Sequence, residues 1–233
     1  MRAAARSTTT AMNGWLEDAP DPIAELAQRC VTHVHGRLGF ELDGTPETLG
    51  VLDHFIDDVV REEARGETPP PGHAIRGHLV HLFAPSIGAY FGEVVRARLP
   101  ARWRDPAKPP SGWSLELEGC YLRFNPAGAA AEAIARDHVA DWSGALATAP
   151  AETDALHERL AAAPGVPEDE FFMLATRHEV LQIADDWLRQ RGAAGGVPAR
   201  LSAADYDRVL GPPQTRQPDP QGRPLVPGGG EAS

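Results

Sequence analysis

The chain has 233 residues, 42% of them hydrophobic, with 23 glycines and 22 prolines. That is enough apolar material for the core of one ordinary domain, with loose segments where Pro and Gly gather. A formal charge of −11 argues against a general nucleic-acid binder, whose affinity comes from neutralising phosphates.

The charge is uneven. Residues 17–65 hold twelve acids against four bases, and residues 137–191 hold eleven against four. Between them, residues 90–136 carry seven bases and five acids. Residues 1–18 read as a disordered tail. Early arginines without an apolar run exclude a secretory signal, whereas a mitochondrial-type presequence has the same composition and stays open. No run of 18 apolar residues exists, so no membrane span is expected and a soluble cytoplasmic protein is. Cys30 and Cys120 lie in apolar patterns, as buried free thiols do; a disulfide between them stays open.

The globular part is predicted over 19–191. Asp21-Pro22 reads as a helix start, followed by apolar residues at Ile23, Leu26, Ala27, Cys30, Val31, Val34 and Leu38 with helical spacing. This helix should stop between Gly36 and Gly39. Asp43-Gly44 marks a turn, and Thr45-Pro46 starts a second helix with Leu49, Leu52, Phe55, Ile56, Val59 and Val60 on one face. The run GETPPPGH is a stiff linker. A third pattern spans 74–99, with Pro85 inside it, which predicts a kink or two abutting helices.

The alternation of Trp113, Leu115 and Leu117 with Ser114, Glu116 and Glu118, continued to Phe124, predicts a β-hairpin turning near Glu118-Gly119. An Ala-rich helix to about His138 and a short helix in APAETDALHERLAAAPG follow. The last long helix is predicted from Pro167, with Glu168, Asp169 and Glu170 suiting the dipole at its start and Gly192 closing it. Residues 192–210 add a small peripheral helix, and 211–233 read as a disordered tail. The fold class is α+β: a mainly helical single domain with a short antiparallel hairpin packed on helices.

The stretch APSIGAYFGEVVRARLPARW (84–103) holds the most unusual residues. No strand precedes its glycines and no lysine follows, so it is not a phosphate loop. Gly88 and Gly92 in a helix interior each cost ~1 kcal/mol relative to Ala, which points to close packing. Glu93 is the lone acid in an apolar stretch. Either it is buried, with Arg102, Arg123 or Arg177 as partner, or it faces water and pairs with Arg96 three residues on. A binding site around Tyr90 and Glu93, with Arg102, Trp103, Arg123 and Arg177, follows from the first reading.

LDGTPETLGVLDHFIDDV, IGAYFGEVVRARLPARW and LRFNPAGAAAEAI together resemble the DUF3806-like group of bacterial proteins over residues 41–136. The shared signature is Tyr-x-Gly-Glu (Tyr90, Phe91, Gly92, Glu93), then a Trp and a β-hairpin. The resemblance implies an α+β domain and no assigned chemistry.

Other constellations are weaker. His78 and His81 could share a helix face near His73, but a zinc site needs three or four ligands. His54 and Asp58, or His178 and Glu179, look like catalytic pairs but equally like exposed helix faces. Ser86, Ser114 and Cys120 lack a nucleophile context. The basic run Arg96, Arg98, Arg102, Arg104 and Lys108 could meet an acidic partner or the chain's own acids. No catalytic residue, metal or cofactor is expected. The first functional expectation is a non-enzymatic interaction protein of adaptor or immunity type, with a protein partner and no nucleic-acid or membrane partner. The alternative is a small-molecule or metal-binding domain, with a hydrolase as one form of it, around Tyr90 and Glu93.

Overall fold

A computed structural model describes residues 14–66, 74–139, 141–162, 166–167 and 170–212. The expected tails and the Pro-rich linker with His73 fall mostly outside these residues. Helix α1 (Asp21–Leu38) begins with Pro20 as its cap residue, not Asp21, and ends on Gly39 at φ 73°. Its face of Ile23, Ala27, Cys30, Val31 and Val34 is buried and packs on α3 (Ala74–Arg98). Helix α2 (Leu49–Gly66) follows a single 3-10 turn at Pro46–Thr48. Asp43 accepts the Thr45 N–H and hydroxyl at 3.0 and 2.7 Å, which fixes the turn before it.

Helix α3 is one continuous helix with Pro85 inside it. From Ala84 to Val95 every residue except Pro85 is buried, because α1 covers one side and α4 (Pro126–Ala135) the other. The two glycines mark the closest approaches. A Cβ on Gly88 would lie 2.4 Å from the Ala127 Cα, and one on Gly92 would lie 2.4 Å from the Trp103 ring. Both distances are far below contact, so the helix keeps glycine despite its propensity cost.

The hairpin is part of a four-stranded sheet, β1 (Ala101–Arg104), β2 (Ser114–Leu117), β3 (Leu122–Phe124) and β4 (Ala147–Thr148), each antiparallel to the next. Alternation in β2 suggests one solvent face, yet all four of its residues are buried. Asn125 then caps α4, accepting from the Ala127 and Gly128 N–H groups at 2.9 and 3.1 Å. Helix α5 (Thr153–Ala161) precedes α6 (Leu174–Ala194).

Helix α6 starts later than the acidic run predicts, and its cap comes from another helix. Asp53 of α2, 5% exposed, accepts from the Leu174 and Ala175 N–H groups at 2.8 and 3.1 Å. Gly192 lies inside this helix, which ends at Gly195.

The helix expected as peripheral is α7 (Ala203–Leu210), opened by a reciprocal Ser202–Asp205 capping box. Its Tyr206 is fully buried. The Tyr206 hydroxyl accepts the Leu122 N–H at 2.9 Å and lies 2.6–2.8 Å from the Leu117, Cys120 and Leu122 carbonyl oxygens. Thus α7 covers the outer face of the sheet and pins the β2–β3 turn. No helix among the described residues is long and apolar enough to cross a membrane. Cys30 and Cys120 are both buried and free.

Candidate functional site

The six residues proposed from the sequence divide among four separate environments. Tyr90 is buried; its hydroxyl lies 2.6 Å from the Thr48 hydroxyl and accepts the Gly44 N–H at 3.1 Å. Burial pushes its ionisation up to about 12, so it stays a neutral phenol. Glu93 is 2% exposed, as the first reading expects, but its partners are not the three distant arginines. It accepts the Trp103 indole N–H at 2.6 Å and pairs with Arg96 at 3.1 Å. Arg96 also reaches the Asp18 carbonyl at 3.2 Å. Burial raises the Glu93 pKa, opposed by the Trp103 bond and the Arg96 charge. This is a packed ion pair that ties α3 to β1 and the chain before α1.

Arg102 and Arg123 belong to the sheet. The register places Arg102 opposite Glu116 and Glu116 opposite Arg123, a basic–acidic–basic row across three strands. Arg102 bonds the fully buried Glu116 at 2.7 Å and the Leu201 carbonyl at 2.5 Å. Arg104 reaches the Ala203 carbonyl and chelates Asp207 at 2.9 and 3.1 Å. Arg123 donates to the Leu210 and Gly211 carbonyls at 3.2 and 2.7 Å, where a cation suits a helix C-terminus. The basic run is therefore met by the chain's own acids and carbonyls: Arg98 lies 3.8 Å from Glu47 and Lys108 2.6 Å from Asp105.

Arg177 stands apart, in the wall of a cavity of about 780 Å³ between α4, α5 and α6. Its lining is mostly apolar, with Phe91 and Phe124 at the buried end and Leu146, Leu160 and Val180 along the sides. Phe171, half exposed, and Val166 border it towards solvent. One polar cluster projects into this surface. The Arg177 guanidinium pairs with Glu132 at 2.7 Å, and His138 Nδ1 lies 3.3 Å from the other Glu132 oxygen. Glu132 is 2% exposed, so these partners stand in for the water it has lost. The Arg177 Nε is buried with no hydrogen-bond partner among the described residues, while its guanidinium lies 5.5 Å from the Phe172 ring centre. His138 contacts the edges of Phe171 and Phe172.

The local sequence explains the placement. Alanines at 127, 129, 130, 131 and 133 let α4 lie close to α3, and Glu132 is the one charge in that helix. Arg136 then turns the chain with φ 54°, which brings His138 back beside Glu132. Sequence reasoning named Arg177 but missed Glu132 and His138. The signal was available: a lone acid among alanines is the same anomaly as Glu93 in α3.

Two further depressions lie elsewhere. An open groove of about 730 Å³ runs past His33, Phe55, His78 and Phe83. A smaller pocket of about 330 Å³ lies beside Arg98 and His178. Neither these two nor the apolar cavity has Tyr90 or Glu93 in its wall. Among the described residues no three His, Cys, Asp or Glu side chains group closely enough to hold a metal ion. No family model, curated protein or solved structure matches the chain, so the DUF3806-like resemblance rests on the quoted residues of 41–136 alone.

Proposed function

We propose that the protein binds a small, mainly apolar molecule with one polar end in the cavity between α4, α5 and α6. The observation that carries this reading is the Glu132–Arg177 pair with His138, held in the wall of an otherwise apolar space of about 780 Å³. Ligand sites combine that size, ~300–1,000 Å³, with apolar walls and a few converging polar groups. Burying an ion pair beside empty apolar surface brings little stability by itself. It is well suited to orient a ligand's polar end while the phenylalanines hold its body. This moves the small-molecule reading away from Tyr90 and Glu93, whose side chains are satisfied within the packed core.

The test is direct. The purified protein, analysed by native mass spectrometry, is expected to carry or take up an apolar small molecule. Val180→Trp, which fills the cavity from its wall, is expected to abolish that uptake with the melting temperature nearly unchanged. An empty wild-type protein that also fails to bind an apolar fluorescent probe such as anilinonaphthalene sulfonate overturns the reading.

The interaction reading keeps one supporting observation. Phe171 and Val166 are 50% and 43% exposed at the rim of the same cavity, where an apolar side chain of a protein partner could enter. The basic run no longer supports it, since its cations have partners within the chain. Affinity purification with wild-type protein and Phe171→Ser distinguishes this reading: a stoichiometric partner lost with the variant supports it.

A further inference from the structure

The pocket of about 330 Å³ on the other side of α6 has a different chemistry. Its wall is formed by Glu47, Arg98, His178, Glu179 and Gln182 over a small floor that includes Leu49 and Ala175. Helix α6 stands between this pocket and the apolar cavity, and Glu179 borders both.

His178 is the unusual group. It is 3% exposed, and its Nε2 has no hydrogen-bond partner among the described residues. Buried polar atoms are nearly always paired, so an orphan beside a pocket marks a position for a bound partner. The charges around it are available. Arg98 and Glu47 form only a long, solvent-exposed pair, 3.8 Å apart with the side chains 50% and 73% exposed, a weak contact that a ligand can replace. Glu179 is exposed on the rim.

An oxyanion alone would meet two carboxylates here, and a lone amine would meet a guanidinium. A molecule with both charges matches both. We propose that this pocket is a site for a zwitterionic metabolite of free amino-acid size. Its carboxylate pairs with Arg98 and Gln182, its ammonium with Glu47 and Glu179, and His178 Nε2 makes the hydrogen bond that no protein group supplies. The volume is at the small end of ligand pockets, ~300 Å³, which excludes larger peptides and nucleotides. Burial, then the Arg98 charge, lowers the His178 pKa and keeps the imidazole neutral. That suits a hydrogen bond rather than a third charge. The other charged groups around the imidazole are Glu47 and Glu179, which oppose this shift.

The probes are the twenty free amino acids, each offered at about 10 mM, a range that detects millimolar binding. The readout is the His178 imidazole nitrogen resonance in the full-length protein. A saturable shift with at least one amino acid is expected, weakened at least tenfold by Arg98→Gln and by Glu47→Gln. Both substitutions are at exposed side chains and should leave the fold intact. The N-acetyl and carboxamide derivatives of the same amino acid should also lose at least tenfold in affinity, because each lacks one charge. Three outcomes overturn the proposal: no shift with any amino acid, a shift with inorganic phosphate alone, or binding of either singly charged derivative as tight as that of the parent amino acid. The apolar-probe experiment on the other cavity reads a separate space, so the two proposals fail separately.

Discussion

At the scale of single residues, the buried acids separate into different roles. Asp53 caps α6 from α2, and desolvation, outweighing its two backbone hydrogen bonds, raises its pKa to about 6. The native state therefore binds this proton more tightly than the unfolded chain does. The contribution of Asp53 is most favourable below its ordinary pKa of 3.8 and declines as pH rises to about 6, by up to about 3 kcal/mol at 1.4 kcal/mol per pH unit. Urea unfolding of wild type and Asp53→Asn at pH 4 and pH 7 should show the wild type losing ground to the variant as pH rises. A constant difference refutes it. Glu93→Gln is expected to keep the Trp103 bond and lose the Arg96 pairing, costing about 1 kcal/mol, with no change in uptake by the apolar cavity. Of the site, the sequence points to Arg177, but only as a candidate partner for Glu93, a pairing the structure replaces with Glu132. It hides Glu132 and His138, because their meeting depends on the left-handed turn at Arg136.

At the scale of elements, the two α3 glycines make contrasting predictions with Gly36. Gly88→Ala drives a Cβ into the Ala127 backbone and should cost about 1–3 kcal/mol or more. Gly36→Ala, in α1 with nothing within 4 Å, should stabilise by roughly 0.5–1 kcal/mol through helix propensity. Denaturant midpoints of the two variants should move in opposite directions. Tyr206→Phe removes the hydroxyl that holds the Leu117, Cys120 and Leu122 backbone together, leaves the Leu122 N–H only its bond to the Cys120 carbonyl, and should cost about 1 kcal/mol, read by the same measurement. These elements also explain how much of the fold the sequence carries. Helices α1 and α2 are legible because each buries one stripe, and the β2–β3 pair because its turn is local. Strand β1 is not legible, since Ala101–Arg104 reads as a basic run until Glu116 is set opposite Arg102. The start of α6 is displaced because its cap, Asp53, lies far away in sequence. The anchoring of α7 rests on one tyrosine that periodicity cannot weigh.

At the scale of the molecule, a charge of −11 coexists with buried ion pairs such as Glu116–Arg102 and Glu132–Arg177. The unpaired excess repels itself over distances that salt screens, while the buried pairs are screened far less. Thermal stability is therefore expected to rise by a few degrees between low salt and about 0.15 M sodium chloride, followed by calorimetry. A fall would mean that surface ion pairs dominate instead. The position of α7 bears on synthesis as well as stability. Strands β1 to β3 leave the ribosome well before residues 203–210. Until α7 arrives, the face bearing Arg102, Glu116 and Arg123 is wet and the β2–β3 turn lacks its tyrosine. The sheet can pair early, but its outer face closes only after α7 has been made. A released chain truncated before Ser202 should therefore be cut by protease at this turn, whereas the full chain should resist.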